Sequence, residues 1–334
     1  MQHRFFMVTV SLCLFISGCN DARTLDRIPF LFGNSSDGST GLIKRVTIRF
    51  DTKETSAQQM LIRGASMYLS GRPFGFSNWD VGSNPLAPRI QFAFSDNIQS
   101  FSPWGGWTPD YYASGAMGSL GQYVLTSGVA GASLIDMSNP SQAREVDRYP
   151  RRELSDLQVP QDPNFIYKAI ITHPTENYFY GFREQDFVAK LRLTSNLVSI
   201  ETTQPYTPNG QKGTCCVLGG ATFINQAFIA FRSSLRQYSF SSNGELSPGP
   251  INNEVNPTNV VSTNDYLFVQ HQAIPGNTLA SGIYIVTKQN TSIYLPILPI
   301  AFAVSQDSRY LYANLDNDSV TVYELNWAAL TGGY

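Results

Sequence analysis

Residues 121–149 read GQYVLTSGVAGASLIDMSNPSQAREVDRY. Short apolar runs alternate there with turns of Gly, Ser, Asn and Pro, in the order strand, turn, strand, turn, strand. The same order recurs along the chain with drifting residues. Inner-strand starts fall near Gln58, Asp110, Tyr167, Cys215, Thr258 and Ile300. Second strands fall near Met67–Ser70, Tyr123–Thr126, Tyr178–Phe182, Ala227–Phe231, Tyr266–Gln270 and Tyr310–Ala313. A spacing of roughly 40 to 55 residues suits four-stranded units arranged in a ring and is too long for leucine-rich or ankyrin repeats.

Composition agrees with that reading. Of 334 residues 42% are hydrophobic and 13% aromatic but only 14% charged, with 26 Gly and 19 Pro as turn punctuation. No amphipathic run with helical spacing is long enough for a substantial helix, whereas strand-length runs of Val, Ile, Tyr and Phe occur throughout. The expected fold class is therefore all-β, a β-propeller of six blades, with residues 95–120 as the stretch that could hide a seventh. The formal net charge of −2 supplies no basic stripe, which argues against a nucleic-acid partner.

The two ends of the repeat region complement each other. Residues 42–50 form one strand without a blade, while residues 300–325 supply three strands and the closing WAALTGGY makes a poor fourth. Pairing residues 42–50 as the outer strand of the last blade closes the ring and leaves fewer open strand edges. The propeller domain is accordingly residues 41–334.

Ahead of it, Arg4 and an apolar run from Phe5 to Ile16 form a signal peptide over residues 1–18, far short of the ~20 residues that span a bilayer. The run ends Ile16-Ser17-Gly18-Cys19, which resembles the lipobox of bacterial lipoproteins. The resemblance implies that Cys19 receives diacylglycerol, carries palmitate-type chains and becomes the mature N-terminus, anchoring the protein to a membrane. Removing residues 1–18 takes away Arg4 and no acid, so 22 basic residues face 25 acidic ones and the net charge becomes −3. Asn20 after the cysteine, by the sorting rule of enteric-type bacteria, implies the outer membrane of the cell envelope. Residues 19–40, with Gly33, Asn34, Ser35, Ser36, Asp37, Gly38 and Ser39, read as lipidated end and tether. Such a chain has a reach of roughly 25 Å.

Three motifs resemble known propeller repeats. Leu134-Ile135-Asp136-Met137-Ser138-Asn139-Pro140 resembles the LVIVD repeat of bacterial surface propellers, and Trp79-Asp80-Val81-Gly82-Ser83-Asn84-Pro85 repeats it loosely. Residues 304–312, VSQDSRYLY, are similar to the YVTN repeat of lactonase-like propellers. The likeness covers about half of the chain and supports fold more than activity. Asp80 and Asp136 read as turn staples, because Asx side chains bond nearby backbone amides.

Blade geometry assigns loops to faces. One face gathers residues 95–109, 150–166, 203–214 and 250–257 with the hairpin loop His271–Ser281; the tether leaves from the other. The richest loop is FSPWGGWTPDYY, residues 101–112. Phe101, Trp104, Trp107, Tyr111 and Tyr112 are there either binding anchors for a protein or glycan or a plug folded over the channel. Cys215 and Cys216 are adjacent at the inner-strand start of the fourth blade and either close a vicinal disulfide or stay as buried thiols. Such a disulfide resembles a feature of quinone-dependent propeller dehydrogenases, though none of their other motifs is present.

Catalytic residues do not stand out. His173 and His271 fall on opposite faces, and no nucleophile elbow or paired metal-ligand spacing occurs. The expected function is a lipid-anchored, non-catalytic module that binds another envelope or surface protein, or a glycan, without a cofactor. The alternatives are a propeller enzyme at the channel mouth, lactonase-like with calcium or quinone-dependent, and an outer-membrane assembly scaffold.

Overall fold

The computed structural model describes residues 36–37, 41–49, 56–72, 75–93, 116–128, 131–149, 167–183, 187–195, 197–205, 216–276, 278–289, 291–316 and 319–331. Two strands precede the first blade, β1 (Ser36–Asp37) and β2 (Leu42–Arg49). Blade one is β3 (Ser56–Arg63), β4 (Ser66–Arg72), β5 (Gly75–Asp80) and β6 (Arg89–Ala93). Blade two is β7 (Met117–Leu120), β8 (Tyr123–Gly128), β9 (Gly131–Asp136) and β10 (Arg144–Tyr149). Blade three is β11 (Tyr167–Thr172), β12 (Tyr178–Arg183), β13 (Phe187–Thr194) and β14 (Leu197–Pro205). Blade four is β15 (Val217–Phe223), β16 (Gln226–Phe231), β17 (Ser234–Phe240) and β18 (Leu246–Asn252). Blade five is β19 (Pro257–Ser262), β20 (Tyr266–His271), β21 (Gly282–Thr287) and β22 (Ser292–Leu295). Blade six takes β23 (Ala301–Val304), β24 (Tyr310–Asp316) and β25 (Ser319–Leu325) from the end of the chain and β2 from its beginning, in the order β2-β25-β24-β23.

Inner strands touch in ring order, from β3 through β7, β11, β15, β19 and β23 back to β3. The ring is a six-blade propeller. Direct contact between β3 and β7 leaves no room for a seventh blade between them. Blade two's described inner strand begins at Met117, later than the expected start near Asp110, which lies outside the described residues. Blade four's begins at Val217, just after Cys216.

The middle strands explain why the chain reads as solid apolar runs. They are buried on both faces by neighbouring blades, so β16 (QAFIAF) and β21 (GIYIVT) are buried at every residue. Outer strands such as β6 are largely exposed. The repeat shows in backbone irregularity as well. A register shift recurs at the start of the inner strand in blades one, three, four and five, at Ala57/Gln59, Tyr167/Ala169, Val217/Gly219 and Pro257/Asn259. Each shift bends the inner strand where it leaves the connection from the previous blade.

Ring closure occurs as the termini suggest. β2 pairs antiparallel with β25 from Leu42↔Leu325 to Arg49↔Ser319. Arg45 donates from Nε to Glu324 at 2.7 Å, and Arg309 approaches the other carboxylate oxygen at 3.0 Å. WAALTGGY is not a fourth strand. Asn326 caps a short helix, α1 (Trp327–Leu330), because its side chain accepts from Ala329 N. Trp327 stacks on Tyr266 of blade five at 4.0 Å and donates from Nε1 to Ser308 O at 2.7 Å. Leu330 is buried over Gly41, where a methyl would stand 2.4 Å from it. The stretch expected to be a free tether also contributes a strand, since Ser36 and Asp37 pair in parallel with Ile293 and Tyr294.

Candidate interaction face

Each blade runs outward from the axis, so turns between first and second and between third and fourth strands share the tether face. Links between blades and turns between second and third strands share the other, the loop face. The tether face is held by side chains. Asp80 Oδ1 accepts from the backbone N–H groups of Gly82 and Ser83, and Asp136 Oδ1 accepts from Ser138 N, as the staple reading of both residues expects. Hydrogen bonds from Ser83 and Gly82 hold the Asp80 carboxyl below its ordinary range.

A second device on that face is not evident from sequence. The third residue of each second strand is Tyr68, Leu125, Tyr180, Phe228, Phe268 and Tyr312 in turn, facing the next blade. Tyr180 donates its hydroxyl to Gly244 O at 2.5 Å, and Tyr312 donates to Pro85 O at 3.1 Å; both acceptors lie in the third-to-fourth-strand turn of the following blade. Burial pushes both phenols above the ordinary tyrosine value. Near Tyr180, Lys190 is 7% exposed, donates to Asn243 O at 2.8 Å and pairs with Glu201 at 2.9 Å over the Tyr178 ring. His173 lies beside them. Its Nδ1 accepts from Glu176 N at 2.9 Å, its ring meets Phe240 at 4.8 Å, and burial lowers its pKa.

The central channel encloses a cavity of about 230 Å³. Its rungs are uncharged: Thr222 Oγ1 donates to Thr172 O at 2.7 Å, Ser262 Oγ donates to Thr222 O at 2.8 Å, and Gln59 Oε1 accepts from Met117 N at 3.1 Å. Neither a carboxylate nor a histidine is among the described lining residues, and no described cluster of His, Cys, Asp and Glu could hold a metal.

The loop face is rooted by a polar knot in blade five. His271 is fully buried, and its Nδ1 accepts from Asn256 N at 3.0 Å. Asn256 in turn donates from Nδ2 to Gln272 O, and Gln272 N donates to Asn256 O. Ser281 Oγ accepts from Ala273 N, and the Tyr294 hydroxyl donates to Ser281 O. Both ends of the loop after His271 are thereby fixed. On this base the face presents apolar side chains to solvent: Phe187, Leu218, Ile274, Leu298, Ile300 and Leu315 are each 38% to 49% exposed. Toward the tether face the comparable described residues are Leu86, Ile90 and Leu197.

Of the residues singled out from sequence, Cys19 and the aromatic loop residues Phe101, Trp104, Trp107, Tyr111 and Tyr112 lie outside the described residues. So does Cys215. Cys216 is half-buried at the channel mouth, with φ of +77° and a carbonyl that accepts from Arg232 N at 3.0 Å. His173 and His271 are kept apart, on opposite faces and in different blades.

No protein-family model and no curated protein sequence matches the chain. Solved structures do. The chain is similar to the WD40 repeats of RRP9, with 9% identity and a TM-score of 0.55 over 85% of this chain and 99% of that one. It is also similar to a chain of a mitotic checkpoint complex, at 10% identity and a TM-score of 0.47 over 79% and 74% of the two chains. At such identities the RRP9 likeness speaks to fold, and the fold is a six-blade propeller.

Proposed function

We propose that this protein is a lipid-anchored component of a bacterial envelope, held in the outer membrane through Cys19, whose propeller is a non-catalytic module binding another envelope protein. The observation that carries the reading is the concentration of exposed aliphatic and aromatic side chains on the loop face, on a base fixed by hydrogen bonds. Aliphatic anchors such as Leu218, Ile300 and Leu315 suit a protein surface better than a glycan, which stacks on aromatic rings. Chain direction supports the orientation. β1 runs parallel to β22, which rises from the tether face, so the chain arrives from that side and the apolar face points away from the anchor.

Crosslinking pull-downs from intact envelopes test the reading. The variant Leu218→Asn/Ile300→Asn/Leu315→Asn is compared with unmutated protein, with Trp104→Ala/Trp107→Ala and with the tether-face control Leu86→Asn. The loop-face triple variant is expected to lose a partner that Leu86→Asn retains, with stability changed by no more than about 0.5 kcal/mol per exposed site. Cys19→Ala is expected to move the protein to the soluble fraction. Capture that ignores the loop-face substitutions rejects the module reading.

A further inference from the structure

The seam between blades three and four holds two buried cations, and they are treated differently. Lys190, toward the tether face, has a carboxylate, a carbonyl and a ring around its ammonium. Arg236, toward the loop face, is 6% exposed. It sits on β17 in register with Ile229 and Ile251, and Ile229 packs with Phe182 and Val188 of blade three, so the guanidinium enters the seam. Its Cζ lies 5.0 Å over the Phe231 ring. Its Nε has no acceptor, and among the described residues no carboxylate stands within ion-pair reach of it. Two residues nearer the loop face on the same side of the strand, Ser234 is 3% exposed and its hydroxyl is also without a partner.

A guanidinium withdrawn from water with only a ring for company is unfavourable unless an anion completes it. The same seam supplies Lys190 with a full set of partners, whereas Arg236 Nε has none among the described residues. We propose that Arg236 and Ser234 form a carboxylate-binding notch at the rim of the loop face, taking an acidic side chain or C-terminus of the bound protein. The planar fork accepts a carboxylate in two parallel hydrogen bonds, the Ser234 hydroxyl donates a further one, and Phe231 backs the fork. That the occupant belongs to a protein rests on the function proposed above; the notch itself does not.

Thermal melts of the full chain, in chloride buffer at constant ionic strength, test the notch. The probes are sodium acetate, sodium phosphate, a short Asp/Glu peptide with an amidated C-terminus, and a neutral peptide of equal length. In unmutated protein acetate and the acidic peptide are expected to raise the melting temperature saturably, and the neutral peptide to leave it unchanged. Arg236→Met removes the response and, lacking an unpaired buried charge, melts no lower than unmutated protein without added anion. Ser234→Ala weakens the apparent affinity several-fold. If unmutated protein ignores every probe, or its response survives in Arg236→Met, the notch is refuted. A response to phosphate alone assigns a free oxyanion and overturns the partner carboxylate. Should Arg236→Met fail to fold, Arg236→Lys, which keeps charge but loses the fork, is expected to show the weakened response, and an undiminished one counts against the notch. An acetate response in a protein that captures no envelope partner keeps the notch and rejects the module.

Discussion

On the tether face the turns are tied to something: Asp80 and Asp136 hold their own backbones, Tyr180 and Tyr312 hold the turn of the next blade, and Lys190 bridges a seam with Glu201 and Asn243 O. On the loop face fixed bases carry apolar side chains that are 38% to 49% exposed, and a buried arginine has no carboxylate among the described residues. Both faces belong to the same repeats, so the difference is not imposed by the fold. It shows where the ring spends its polar contacts on its own cohesion, and on which face the proposed partner would meet apolar side chains.

The sharpest way to break the comparison is at the tether-face cap. Trp327→Ala removes the stack on Tyr266, which joins blade six to blade five, and the bond to Ser308 O, which ties the helix to a turn of its own blade. The expected loss is about 3 kcal/mol, at the low end for truncating a large ring because Trp327 is only half-buried. Urea unfolding measures it. A loss below 1 kcal/mol would mean that the stack adds little to the contact between blades five and six.

Removing one hydroxyl asks whether the tyrosine clasps matter as hydrogen bonds or only as rings. Tyr180→Phe keeps the ring and leaves Gly244 O without its partner, with an expected cost of about 1.5 kcal/mol. Phe228 and Phe268, which occupy the same register in blades four and five, show that the ring alone fits the position. An unchanged unfolding midpoint for both Tyr180→Phe and Tyr312→Phe would reduce the device to packing.

How much of this was legible in the chain follows from how local each cause is. Strand runs, Asx turns and the unmatched strand at residues 42–50 are local, and they yield the blades and the closure. The start expected for blade two near Asp110 lies outside the described residues, and the described strand begins at Met117. WAAL was read as a failed strand although Asn326 before it is a helix cap; four residues carry too little periodicity to decide. The clasps join residues 64 and 227 positions apart, and only the register of a finished ring reveals them. Arg236 was missed for the same reason, since nothing beside it in sequence says that it is buried or that no carboxylate arrives.

Protonation separates the two faces more gently. His173 Nδ1 accepts two backbone N–H groups, from Thr175 and Glu176, and burial lowers its pKa with Glu176 opposing and Lys190 reinforcing that shift. His271 is lowered likewise, and its Nδ1 also serves as an acceptor. A folded pKa below the ordinary value of about 6.5 means that the unfolded chain binds more protons in that window, so stability rises with pH. The contribution is present above about pH 6.5 and is lost as pH falls below it. His173 is half-exposed, so its share is discounted to less than about 1 kcal/mol between pH 7.5 and 5.5. Unfolding midpoints at those two values are expected to converge partly in His173→Asn, which can still accept from the turn but does not titrate. The remaining dependence then belongs to His271 and to the knot that roots the loop face. If His173→Asn leaves the difference untouched, the acid sensitivity does not lie in the tether-face turn that His173 holds.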